Sequence, residues 1–490
     1  MAYARLDIQE SNMSKYPPSK YQEQIFTWAL NARPGENAVV MALAGTGKTT
    51  TLEWLYPMLS GSVCFLTFNK SIADELKTRL PGCNVRTYHS CGLNLISRSF
   101  GNVFRDMDRN FKVMKDYLGW DTARYLQTPV KKLVSMVKNN LTDDTDNTLL
   151  ELSYHYGIEL NGDQNTIFET TRYLLDTAKK NVKVIDFDDM IWLPNVLDLR
   201  GETFDWILVD ELQDTNKAQS ELISRISNKD SRIIGVGDTN QSIYQFRGAN
   251  SNAMQEFIDR WSAVTLPLSI TYRNPMKVVE LVHTKFPEIP LEAKPGVLDG
   301  IVENIPYAKA INQFVDGDMV LCRVNADLVA PCFALIRQGI KAVIRGRDIG
   351  SGLVALIKKM KTDSLSLLLE KLVEYRDLEV NKLINADKEM AAQGVIDKVD
   401  TIIALGDGLV YTDDLINRIQ EVFSDDKIGV TFSSIHRAKG LEAERVWILR
   451  PDLMPHPRAK KEWEAQSEKN LIYVAITRSK SELYFVTGRA

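Results

Sequence analysis

The clearest hydrophobic pattern in the chain is an apolar run that stops at a glycine-rich turn and gives way to a segment of helical period. Residues 38–43 (AVVMAL) carry the run, AGTGKT the turn and TTLEWLYPML the segment, which predicts strand, loop and helix. A second copy follows, with VCFLTF as strand and KSIADELKTRL as helix. From about 91 to 180 the apolar spacing is mostly helical. Strand signals return at FDWILVD and SRIIGVGD, each ending on an acid where a parallel sheet presents its carboxyl edge. Strand and helix alternate again near GDMVLCRVNADLVAPCFALIRQGIKAVIRG. A helix-rich, charge-mixed stretch interrupts at about 351–428, before IGVTFSSI, ERVWILRP, a helix near 465–479 and ELYFVTG. The pattern predicts an α/β protein of two lobes, each split by a mainly helical insertion. Residues 1–90 and 181–275 form the first lobe around an insertion at 91–180. Residues 276–350 and 429–490 form the second around a shorter insertion at 351–428.

Composition narrows the class. A chain of 490 residues, 44% hydrophobic and 25% charged, buries a large core in two or more domains and has no low-complexity tract. The N-terminal MAYARLDIQESNMSKYPPSK lacks the apolar run of a signal peptide, and no stretch nears the roughly 18 apolar residues that span a bilayer. A cytoplasmic or nuclear location is expected, with no membrane partner. The five cysteines fall at unrelated spacings without a CxxC pair, which indicates reduced buried thiols and neither a disulfide framework nor a zinc site.

A net charge of −4 argues against coating nucleic acid by bulk electrostatics, but the distribution is uneven. Residues 86–140 hold ten Lys or Arg against four Asp, a local excess of six, so the remainder stands at −10. The same segment carries Phe104, Phe111, Tyr117, Trp120 and Tyr125. Bases interleaved with aromatics suit a single-stranded nucleic-acid path. A solvated helical surface with its aromatics turned inward explains the pattern equally well.

The chemistry concentrates in short stretches. In ALAGTGKT, glycines let backbone amides face phosphate oxygens, Lys48 offers charge to the β and γ phosphates, and Thr49 offers a hydroxyl to Mg²⁺. Ala42 stands where GxxxxGK[ST] has its first glycine. In ILVDELQD, Asp210 ends a strand and can hold a metal, while Glu211 can orient an attacking water; the alternative is two solvated loop acids. GDTNQSIYQFRGA sets Asp238 and Gln241, suited to phosphate or metal-bound water, beside Tyr244, Phe246 and Arg247, suited to nucleobases. Arg273 in TYRNP and Arg478 in YVAITRSK are candidates for charge on a γ-phosphate, though each alone also reads as a surface ion pair.

Taken in order, AGTGKT, TFNK, TYHS, VDELQD, GDTNQSIYQFRGA, TYRNP, HRAKGLE and YVAITR resemble the UvrD/Rep/PcrA-like superfamily 1 DNA helicases, over about residues 18–487. The resemblance implies two RecA-like P-loop lobes and accounts for Ala42, since that family uses an AxAGSGKT-like loop. It implies ATP with Mg²⁺, held by Ala44, Gly45, Thr46, Gly47, Lys48, Thr49, Thr50 and Asp210, with Glu211 as catalytic base. Gln22 resembles the reader of the adenine edge, Tyr272 the ring stacked on adenine and Glu442 the ribose contact. Gln241 resembles the γ-phosphate sensor, and Arg273 and Arg478 the arginines that embrace that phosphate. Phe68, His89, Tyr244 and Phe246 match positions that touch single-stranded DNA. Some positions depart: Phe246 stands where the family has Trp, Asn470 where it has Arg, the second insertion is short, and nothing resembles an appended nuclease.

The implied activity is ATP-dependent unwinding by a monomer tracking 3′ to 5′ on single-stranded DNA and at single-strand/duplex junctions, with replication or recombination proteins as candidate partners. A translocase that displaces bound proteins with little unwinding is the second reading. An ATP-gated single-strand binding protein is the third, and Glu211 and Arg478 count against it. A small-molecule P-loop kinase would leave Tyr244, Phe246 and the basic insertion without a role.

Overall fold

The structure is a computed structural model and describes residues 17–160, 162–243, 252–385, 389–423 and 429–488. The chain forms two compact units, one ending at Ser269 and the other beginning at Ile270. The division falls before 275 because β9 (Ile270–Thr271) pairs in parallel with β10 (Glu292–Ala293), which ties the TYRNP segment to the second unit.

The first unit is built on a parallel sheet of β1 (Ala38–Ala42), β2 (Val63–Thr67), β3 (Asn84–Thr87), β6 (Trp206–Val209), β7 (Arg232–Gly237) and β8 (Val264–Leu268). Their order is β3-β2-β6-β7-β1-β8. The inner strands are nearly continuous apolar runs because both faces of the sheet are covered. Ile25, Phe26, Leu52, Leu55 and Leu76 cover one face; Tyr88, Cys91, Leu95, Leu222 and Phe257 cover the other. Since β6, β7 and β1 are neighbours pointing the same way, whatever follows each of them emerges side by side at one carboxyl edge.

The first insertion has its own core, with Leu126, Val130, Leu133, Phe168 and Leu174 among its members. That core also takes in Ile185, Met190, Trp192 and Leu193, so the expected edge at 180 falls inside it. Two short strands, β4 (Phe104–Arg105) and β5 (Val184–Ile185), close its base in parallel.

In the second unit β11 (Ile301–Pro306), β12 (Met319–Cys322), β13 (Ala342–Ile344), β14 (Val430–Ser434), β15 (Ala443–Leu449) and β16 (Ser479–Thr487) form another parallel sheet, ordered β11-β16-β15-β12-β14-β13. Here the described residues of the insertion share the core of the sheet. Leu365, Leu368, Leu372, Val399, Ile402, Leu415 and Ile419 pack into one cluster with the sheet residues Val320, Ile344 and Phe432. Its first helix, Arg347–Lys359, begins ahead of the expected 351.

All five cysteines are free, four of them buried and Cys83 half-buried. Among the described residues no helix is long and apolar enough to cross a membrane.

Candidate functional site

The glycine-rich loop leaves β1 through Gly45 and Gly47, both at positive φ (71° and 79°). Gly47 is the N-cap of the helix Lys48–Leu55, where a left-handed backbone turns the chain and the free helical amides face outward, a ready site for phosphate. Ala44 is buried, Thr46 Oγ1 donates to the Leu43 carbonyl at 2.8 Å, and Thr50 is half-buried. The loop is therefore braced from within.

Two acids arrive from β6. Thr49 Oγ1 donates to Asp210 Oδ2 at 2.6 Å, and Lys48 Nζ pairs with Glu211 Oε2 at 3.0 Å. Glu211 has a φ of 53°, and this left-handed turn sends adjacent carboxylates to different partners. Burial, and after it the Glu211 charge, push the Asp210 carboxyl up to about 6. Burial works against the Lys48 ammonium, but Glu211, Asp238 and Asp210 lift its pKa above the ordinary lysine value, so the loop's charge is secure at neutral pH. Asp238, at the end of β7, is raised by burial and accepts from Gln241 Nε2 at 2.6 Å.

The chemistry of this set fits a magnesium nucleotide. One hydroxyl beside one carboxylate is what Mg²⁺ uses when phosphate oxygens and water complete its shell. Among the described residues no group of three His, Cys, Asp or Glu offers a cage made of protein alone.

Gln213 joins the two acidic loops and was not singled out in the sequence. Its Oε1 accepts the Asp238 N–H at 2.9 Å and its Nε2 donates to Glu211. A Cβ on Gly237 would lie 2.6 Å from Gln213 Oε1 and 2.8 Å from Met254 Sδ. Gly237→Ala is therefore expected to cost about 1–3 kcal/mol of stability in a thermal melt and to lower turnover by shifting Gln213. An unchanged melt and rate would show that the loop absorbs the methyl.

Gln22 is buried, and both ends of its amide are engaged. Oε1 accepts the Ser19 N–H at 2.9 Å in a capping box, and Nε2 donates to Thr51 Oγ1 at 3.0 Å. In this arrangement Gln22 buttresses the P-loop helix, and each end of its amide keeps capacity for one more hydrogen bond.

The second unit gathers Tyr272, Arg273, Glu442 and Arg478 around the end of the helix Glu462–Ile476. Arg273 Nε pairs with Glu442 Oε2 at 2.7 Å, and its NH1 donates to the Thr477 carbonyl at 3.3 Å. Glu442 also meets Lys480 at 2.8 Å; although burial opposes it, these two cations hold its carboxyl below the usual range. Arg478, 1% exposed, donates from Nε to the Val474 carbonyl at 2.9 Å and from NH1 to the Leu441 carbonyl at 3.1 Å. It is thus a buried brace at a helix end, not a surface ion pair. Tyr272 is exposed, with Lys294 Nζ 5.7 Å from its ring centroid. Asn274, also missed in the sequence, donates to the Thr477 and Ser479 carbonyls and fastens the TYRNP turn.

Phe68 follows β2 and is exposed; His89 lies just beyond the neighbouring β3. The His89 ring stacks on Phe187 with centroids 3.6 Å apart and planes at 24°. Phe187, 50% exposed, is a third omission whose signal was a lone aromatic between acids in IDFDDM. Tyr244 and Phe246 lie outside the described residues. In the basic stretch, Phe104, Tyr117, Trp120 and Tyr125 are exposed, whereas Arg109 and Lys138 are buried in ion pairs, so neither expectation for that segment covers all of it.

Burial lowers the His89 pKa from 6.5 to about 4. The unfolded histidine binds its proton more readily, so stability is full above pH 6.5 and declines as pH falls from 6.5 toward about 4. His89→Gln is expected to flatten that part of the stability profile. Direct titration of the imidazole by NMR with an ordinary midpoint would contradict this.

The UvrD/REP helicase N-terminal domain model matches residues 24–262, and the UvrD-like helicase C-terminal domain model matches residues 429–486. The chain belongs to the UvrD/Rep/PcrA-like helicase family. A Bacillus subtilis (strain 168) relative named ATP-dependent DNA helicase PcrA is 23% identical over 610 aligned residues, covering 92% of this chain and 80% of its own length. Escherichia coli (strain K12) ATP-dependent DNA helicase Rep is 28% identical over 280 residues, covering 50% of this chain and 40% of its own length. A crystal structure of the arterivirus nonstructural protein 10 helicase aligns with a TM-score of 0.34 at 13% identity, over 95% of this chain and 62% of that one, too distant to bear on the fold.

Proposed function

We propose that the protein is an ATP-dependent DNA helicase that moves along single-stranded DNA, 3′ to 5′, and couples ATP hydrolysis to duplex unwinding. The observation that carries this reading is the paired contact of Thr49 with Asp210 and of Lys48 with Glu211, at the same sheet edge that presents Phe68 and the His89–Phe187 stack. It joins a hydrolytic acid pair to rings suited to bases. Relatives named ATP-dependent DNA helicases support it.

In this reading Lys48 and the loop amides bind the phosphates, and Thr49 with Asp210 would hold Mg²⁺, which would supply charge that neutralises the phosphates. Glu211 orients the attacking water. Arg273 and Arg478 stabilise the γ-phosphate as charge develops, Tyr272 stacks on adenine and Glu442 takes the ribose. Gln241 senses the γ-phosphate, and Tyr244 and Phe246, three and five residues further on, stack on bases. Each base stack contributes roughly 1–3 kcal/mol without regard to sequence, as translocation requires.

The test is ATP hydrolysis with and without single-stranded DNA, alongside unwinding of duplexes carrying a 3′ or a 5′ tail. Hydrolysis stimulated by DNA and unwinding from the 3′ tail alone are expected. Stimulated hydrolysis without unwinding would favour a translocase that displaces bound proteins. Hydrolysis indifferent to DNA would remove the coupling.

A further inference from the structure

A buried cluster of charge lies directly behind the pair formed by the half-buried His89 and the exposed Phe187. Lys138 Nζ sits 2.8 Å from Asp186 Oδ2 and 2.8 Å from Asp189 Oδ1, and Arg109 NH1 sits 2.7 Å from Asp189 Oδ2. Asn110 Nδ2 adds a bond to Asp186 at 2.8 Å. All four ionised side chains are nine-tenths buried or nearly so. The two acids also bind each other's backbone: the Asp186 N–H donates to Asp189 Oδ2 at 3.0 Å, and the Asp189 N–H donates to Asp186 Oδ1 at 2.7 Å. Phe187 is therefore the outward member of a four-residue loop whose two ends are fixed to one another and to two cations.

Those cations come from elsewhere in the chain. Arg109 opens the helix Arg109–Leu118, and Lys138 lies in the last turn of the helix Trp120–Asn140, both in the first insertion. Neither reaches solvent, so neither can meet a phosphate. Nor does an apolar core need them, because burying two cations against two acids gains little over hydrophobic packing. What the arrangement does supply is register, in that it fixes where the loop points its one aromatic ring. Burial opposes the Lys138 charge, yet Asp189 and Asp186 raise its pKa above the ordinary value and keep the cluster ionised.

We infer that Lys138 and Arg109 are positioning residues for strand binding: through Asp186 and Asp189 they hold Phe187 against His89, so the helical insertion sets the geometry of the ring pair. The inference rests on the reading of that pair as a surface for single-stranded DNA. It predicts an effect on DNA affinity from residues that DNA never touches.

The test uses the full chain and a fluorescent oligo-dT, with binding followed over a range of salt. Phe187→Ala should weaken binding roughly five- to 150-fold, the span of one base stack. Lys138→Met should weaken it in the same sense with DNA-free ATPase retained. Lys138→Met combined with Asp189→Asn, which removes one charge of each sign, serves if the single variant folds poorly. Two readouts separate positioning from direct contact. The slope of log affinity against log salt should stay as in wild type, since no phosphate contact is lost, and adding Lys138→Met to Phe187→Ala should change affinity less than about twofold. If both Lys138 variants bind oligo-dT as wild type while Phe187→Ala is weakened, the inference is overturned and the strand-binding reading stands. A Lys138 effect that adds fully to Phe187→Ala, or that lowers the salt slope by about one, also overturns it. If Phe187→Ala binds as wild type, the reading and the inference fail together.

Discussion

Glu211→Gln is expected to reduce DNA-stimulated ATP hydrolysis by about 10²- to 10⁴-fold while nucleotide binding is kept or tightened. The rate falls because an amide cannot take a proton from the attacking water. Binding survives for a reason visible in the geometry, where Lys48 Nζ is held by Glu211 at 3.0 Å. Without that charge the ammonium is freer to turn to phosphate. The backbone at Glu211 has a φ of 53°, which Gln adopts at the same cost as Glu, so the loop should keep its shape. Binding of a fluorescent ATP analogue beside steady-state hydrolysis checks both halves. If turnover survived within a few-fold, Glu211 would not be the base.

The second large effect is expected at Arg478. Arg478→Lys should lower turnover by about 10³-fold, the scale at which an arginine stabilises a transferring phosphoryl group. Lysine keeps the charge but not the fork. The guanidinium here divides its donors between the Val474 and Leu441 carbonyls, and a single ammonium cannot be in both places. Because the residue is buried, the variant also loses hydrogen bonding of about 1–3 kcal/mol, so a thermal melt must show that it remains folded at the assay temperature. A folded Arg478→Lys with near-normal turnover would leave Arg478 as a structural brace only.

Much of this was readable from the chain. The apolar runs at 38–43 and 206–209 announced buried parallel strands because a sheet covered on both faces needs no polar alternation. Lys48, Thr49, Asp210 and Glu211 announced themselves by following those strands. Less legible were residues whose function is set by long-range partners. Gln213 acts by bridging to Asp238, 25 positions away, and Asn274 by reaching Ser479, more than two hundred positions away. Neither spacing carries a local signal. Gln22 was expected on nucleotide, and its capping role was written in S-K-Y-Q, the N-cap to N3 spacing of a capping box. The basic stretch misled in part because Lys138 and Arg109 look like any other surface cation until their acids arrive from residues 186 and 189.

The two insertions differ in what they are thermodynamically. One owns a core; the other shares the core of the sheet it interrupts. A segment with its own core can open, melt or pivot while its host stays native, as an independent cooperative unit. Leu368 and Phe432 belong to one cluster, so amide exchange in the helix Leu365–Asn385 and in β14 should share a single opening free energy. The described helices of the second insertion are therefore expected to open together with the sheet they interrupt.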